Sequence, residues 1–201
     1  MKRRAIAFFL PLAIASAANA ADANYPVVEI LDAFRDGCGS LENQQMASVS
    51  LITAGWTPIS RSEETGQLAV FLDFSRKAAL KVAESGGVDM GEITPFAKTI
   101  AGEEVFMVLD EVKADGNRIS GCQLYDFGEE RPIPVEQAGS WLKRAPSEIK
   151  ELPEVRTAEW SPGVRSGHDS FKIFFVPGDS PARQMFNFYG VALKADTLGA
   201  E

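Results

Sequence analysis

The chain reads as an α+β protein. The expected architecture is an antiparallel sheet of five or six strands, with N-terminal helices and one short inserted helix packed against one face. Three observations predict this. Apolar residues recur at helical spacing as far as residue 84. From Ile93 onward that spacing is lost, and β-branched and aromatic residues gather. The strand-like segments also follow one another directly instead of alternating with helices, as a parallel sheet would require. The glycine fingerprint of a doubly wound nucleotide fold does not occur: Gly37-Cys38-Gly39 follows a helix, not a strand.

Each element has a local reason. Val27, Val28, Leu31 and Phe34 place an apolar face on a helix over Val27 to Asp36, with Pro26 at its first turn. A second helix is expected over Leu41 to Ala54, capped by Ser40 and stopped by Gly55. A third fits Gly66 to Ala83, although Leu68 to Phe74 also suits a buried strand. Strands are expected over Pro95 to Ile100, Val105 to Val112 and 118 to 125. Asp115-Gly116 between the last two is a hairpin turn, which pairs Leu109 with Cys122 and Met107 with Leu124. Val135 to Lys143 is the inserted helix. Further strands are expected over Glu154 to Trp160, Phe171 to Val176 and Met185 to Leu193.

Residues 1 to 20 read MKRRAIAFFLPLAIASAANA. Three positive charges, a short apolar run and a small-x-small end predict a signal peptide cleaved after Ala20. That run is too short to span a bilayer, which needs roughly 20 apolar residues. The expected mature chain is one α+β domain over 21–201, helix-rich over 25–84 and strand-rich over 93–195. Its expected location is the bacterial periplasm or outside the cell, without membrane insertion after cleavage. Because that compartment is oxidising, Cys38 and Cys122 are expected to form a disulfide.

Composition excludes several function classes. Removing Lys2, Arg3 and Arg4 leaves 17 basic against 28 acidic residues, a mature charge of −11. Such a surface repels phosphate, so nucleic acid is not an expected partner. One histidine rules out multi-histidine zinc sites, and two distant cysteines rule out four-cysteine metal centres. No cofactor and no metal is expected.

The densest chemical cluster is the loop over 161–169. Ser166, His168 and Asp169 are the candidate nucleophile, base and orienting carboxylate, and Arg165, His168 and Asp169 the candidate binding contacts. Adjacent residues in one loop seldom meet in triad geometry. Carboxylate pairs occur at Glu63-Glu64, Glu103-Glu104, Asp110-Glu111 and Glu129-Glu130, and Asp110 interrupts an apolar strand near its expected frayed end. Phe174 and Phe175 are consecutive, so they must face opposite sides of a sheet. An aromatic face left uncovered by helices would be a binding surface. The expected function is that of an exported, non-catalytic binding or accessory protein of the cell envelope, with a protein or small-molecule partner. The alternative is a metal-independent periplasmic hydrolase using the 161–169 loop or paired carboxylates.

Overall fold

The computed structural model describes residues 25–200, and the expected signal peptide lies outside them. Five helices are present among the described residues: α1 (Val27–Gly37), α2 (Gln44–Thr53), α3 (Gly66–Glu84), α4 (Val135–Leu142) and α5 (Ala182–Phe186). The strands are β1 (Thr57–Pro58), β2 (Val88–Met90), β3 (Thr94–Ile100), β4 (Glu103–Ala114), β5 (Asn117–Phe127), β6 (Glu148–Glu151), β7 (Arg156–Trp160), β8 (Ser170–Val176) and β9 (Gly190–Ala200). They form one antiparallel sheet in the order β1-β3-β4-β5-β9-β8-β7-β6, with β2 paired to the far part of β4. The last strand is therefore central, inserted between β5 and β8. No helix of the described residues is long and apolar enough to cross a membrane.

The class is α+β as expected, but the sheet has nine strands instead of five or six. β1, β2 and β6 are two to four residues long. A period of two cannot be read from so few residues. The hairpin follows the expected register, with Leu109 opposite Cys122 and Met107 opposite Leu124. Asp115 and Gly116 both take the left-handed backbone of its turn. β4 does not fray at Asp110. It continues to Ala114 because β5 and β2 pair with it on both sides.

Two helices also differ. α2 starts at Gln44, where the Asn43 side chain accepts a hydrogen bond from the Met46 N–H, so Asn43 and not Ser40 is the cap. Residues expected to open the final strand, from Met185, instead close α5, and β9 begins at Gly190.

The largest departure is that helices cover both faces of the sheet. Alternation along β4 and β5 separates two cores. On the first face, Met107, Leu109, Cys122 and Leu124 pack with α1, α2 and α4 residues including Ile30, Leu31, Phe34, Leu51 and Ala138. Rings of Phe34, Phe171 and Trp160 pack through this layer in tilted contacts, at 5.4 and 5.5 Å between centroids. The Trp141 indole N–H donates to Asp32 at 2.9 Å and ties α4 to α1. The Cys38–Cys122 disulfide joins the end of α1 to the middle of the sheet. On the second face, Val108, Tyr125, Val176 and Ala192 pack with Leu68 and Leu72 of α3 and Ala182 of α5. Phe175 belongs to the first core and Phe174 to the second, as their adjacency requires.

Candidate functional site

The loop over 161–169 does not assemble its candidates. His168 is buried and Ser166 is exposed. Neither ring nitrogen of His168 makes a well-formed hydrogen bond, the Cys38 backbone being the group its ring approaches, so Ser166 and Asp169 are not joined to it. Burial holds the imidazole below its ordinary pKa, and the nearby Arg165 charge adds to this. Asp169 instead accepts the Leu198 N–H at 2.5 Å. Arg165 crosses to α1, donating to the Arg35 carbonyl at 3.0 Å and the Asp36 carboxylate at 3.3 Å. These contacts lock the loop onto α1 and β9 and leave no nucleophile beside a base.

The aromatic concentration noticed in the sequence does form a concave surface, on the second face. α3 and α5 both lie on that face, and Phe71 of α3 meets Phe188 just after α5. A groove of about 270 Å³ remains there. Its floor is Tyr125, Ala192 and Phe174, neighbours across β5, β9 and β8. Phe71 and Phe74 of α3 form one wall. Phe186 and Phe188, from α5 and the turn after it, form the other. Tyr125, Phe71 and Phe188 contact one another edge to face or tilted, at 4.5 to 6.3 Å. Such a ring cluster resists collapse into the opening. Phe74 and Phe186 keep large exposed areas at the rim.

One row of strand positions along, the floor turns polar. Val108, Gln123, Lys194, Lys172 and Glu159 stand opposite one another across five strands. Gln123 and Lys194 line the groove directly. The Gln123 amide donates to Asp110 at 2.7 Å, and its carbonyl accepts from the Tyr125 hydroxyl. Burial pushes the Asp110 carboxyl above its ordinary pKa, against the pull of Lys194 and Gln123. Gly121 makes room for that carboxylate, since a Cβ there would sit 2.0 Å from Asp110 Oδ1. Lys172 and Lys194 are directly opposed, an arrangement in which like charges repel. Glu159 pairs with Lys172 at 3.1 Å. Half-buried Lys194 has no ion-pair partner within 4 Å among the described residues. Lys194 is close enough to Asp110 for its charge to favour that carboxylate.

A larger cavity of about 670 Å³ lies between the second half of α3 and the β2–β3 segment. Its buried charges are already matched, because Arg76 holds Glu64 through two hydrogen bonds of 2.5 and 2.6 Å. It therefore offers a ligand no unpaired group of this kind.

Sequence reasoning identified the aromatic strands and Asp110 as positions of interest. It missed Phe71, Phe74, Gln123 and Lys194. The only signal available for them was helical spacing in α3 and alternation in β5 and β9. Comparison with known protein families, with curated proteins and with solved structures finds no match to this chain.

Proposed function

We propose that the protein is a non-catalytic binding module exported to the bacterial cell envelope, and that its ligand is an elongated apolar group with an anionic end. The observation that carries this reading is the aromatic groove whose lining joins Phe71, Phe74, Phe174, Phe186 and Phe188 to the polar Gln123 and Lys194. Its volume is at the small end for ligand sites, so it suits one acyl chain or one apolar segment of a larger molecule. Lys194, which lines the groove and has no ion pair among the described residues, favours a negative head at the polar end. The dispersed placement of Ser166, His168 and Asp169 supports binding over hydrolysis. Export rests on the N-terminal sequence, and the Cys38–Cys122 disulfide accords with an oxidising compartment.

The test is a calorimetric titration of the mature protein with dodecanoate, with dodecylammonium as the comparison. Dodecanoate is expected to bind one to one and more tightly. Lys194→Gln removes a charge-assisted bond of about 1.5–3 kcal/mol and weakens dodecanoate by roughly tenfold or more. Phe74→Gln weakens both ligands. Absence of saturable binding, or binding indifferent to both substitutions, would refute the reading.

A further inference from the structure

Away from the groove, the first face of the sheet ends in a group of three acids, two of them buried. Glu103 opens β4, Asp126 lies near the end of β5, and Glu129 follows the turn after β5. Each offers a carboxylate oxygen, and these three atoms lie within 4.8 Å of one another. Asp126 and Glu129 are 5% and 8% exposed. Arg131 supplies one positive charge. It donates to Glu129 Oε1 and Oε2 at 2.6 Å and to Glu103 Oε1 at 2.9 Å. Three carboxylates therefore face one guanidinium, with Asp126 and Glu129 buried and Glu103 and Arg131 partly open to water.

A separate observation concerns Asp126 and Tyr25. Asp126 Oδ2 is buried and has no hydrogen-bond partner. The Tyr25 residue is 7% exposed, and its hydroxyl faces Asp126 without a well-formed hydrogen bond to it or to any other group. Burial first, and then the Asp126 carboxylate beside it, oppose ionisation of that hydroxyl. Buried polar atoms without partners are few in folded proteins, and each calls for an explanation. Three carboxylates against one guanidinium leave negative charge in excess, which is costly in a partly buried place unless a further cation meets it. A hard divalent cation meets it directly. Calcium takes oxygen ligands at about 2.3–2.6 Å, so two ligands on opposite sides of one ion stand roughly 5 Å apart.

We propose that Glu103, Asp126 and Glu129 bind a calcium-class divalent cation, with Tyr25 beside the ion and Arg131 holding the two glutamates in place. The sequence had no signal for this site. Its ligands come from two strands and a turn, and their spacing matches no calcium loop. The site joins the entrance of α1 to the ends of β4 and β5, so occupancy stabilises the fold without touching the groove.

The experiment uses the mature chain stripped with chelator at pH 7.5. Calorimetry with Ca²⁺ is expected to show one site with a Kd of roughly 0.1–1 mM, as in extracellular modules. Thermal unfolding rises with added Ca²⁺. Asp126→Asn weakens binding at least about tenfold by removing a ligand charge, whereas Glu104→Gln, at the exposed neighbour, leaves it unchanged. Because a change at a buried carboxylate can also impair folding, a second arm leaves the ligands intact. Tb³⁺ bound to the wild type is excited through tyrosine, and Ca²⁺ displaces it. Tyr25→Phe is expected to cut the sensitised emission while Tb³⁺ still binds. The assignment fails if folded wild-type protein takes up no Ca²⁺, or if Asp126→Asn binds it equally well. It fails equally if Tyr25→Phe leaves the terbium emission intact.

Discussion

Replacing both Cys38 and Cys122 with alanine should cost a large share of this protein's stability. The bridge joins residues 84 positions apart. On the chain-entropy model, closing a loop of that length removes about 15 cal/mol/K from the unfolded ensemble, or about 4.6 kcal/mol at 25 °C. The loop includes α2, α3 and β1 to β4, so the unfolded chain gains freedom over nearly half its described length. Both sulfurs are fully buried against Met107 and the first-face core. Their removal also leaves a small void, which adds to the loss. At roughly 2–4 °C per kcal/mol for a domain of this size, the unfolding midpoint should fall by about 9–18 °C. Urea denaturation of oxidised wild type and of the double alanine variant measures the free energy. A loss below about 1 kcal/mol, with unchanged circular dichroism, would refute the reasoning. It would mean that the unfolded chain is already restricted in that loop, or that the bridge strains the fold.

Two further outcomes follow from particular residues. Gly190 has φ +119°, and a Cβ there would stand 2.2 Å from the Asp126 carbonyl oxygen. Gly190→Ala therefore combines a backbone conformation alanine rarely adopts with a main-chain clash, and should destabilise by at least about 3 kcal/mol in denaturant unfolding. An effect under about 1 kcal/mol would mean that the β5–β9 end shifts freely. Burial, reinforced by the nearby Arg165, lowers the His168 pKa despite the opposing charges of Asp196 and Asp169. Below about pH 6.5 the unfolded chain takes a proton that the folded protein refuses, so stability is complete above that pH and declines below it, by up to about 1.4 kcal/mol per pH unit. The difference between wild type and His168→Gln in urea midpoint should change between pH 7.5 and 5. Parallel curves for the two proteins would show that His168 is not held neutral by the fold.

Much of the fold was legible because its causes are local. Asp115-Gly116 set the hairpin turn, and alternation carried that register to Leu109 and Cys122. The adjacency of Phe174 and Phe175 dictated that they face apart. The helical spacing of Leu68, Phe71 and Leu72 overrode the strand-like character of the same stretch. The short strands escaped notice because pairing, not composition, makes them strands. Met185 and Phe186, the end of α5, read as the start of a strand because both residues suit either state.

From the sequence alone came the α+β class, the order of the main elements, the expected export and the pairing of the cysteines. These follow from periodicity, turn chemistry, the N-terminal pattern and the redox compartment, all properties of neighbouring residues or of the whole composition. Only the tertiary structure decided that β9 enters the sheet between β5 and β8, and that helices cover both faces. That strand order brings Tyr125, Ala192 and Phe174 side by side and sets Lys194 against Lys172. The approach of Glu103, Asp126 and Glu129 arises in the same way, from the ends of two paired strands. No local pattern encodes such meetings, because long-range pairing and the burial of both sheet faces determine which distant residues become neighbours.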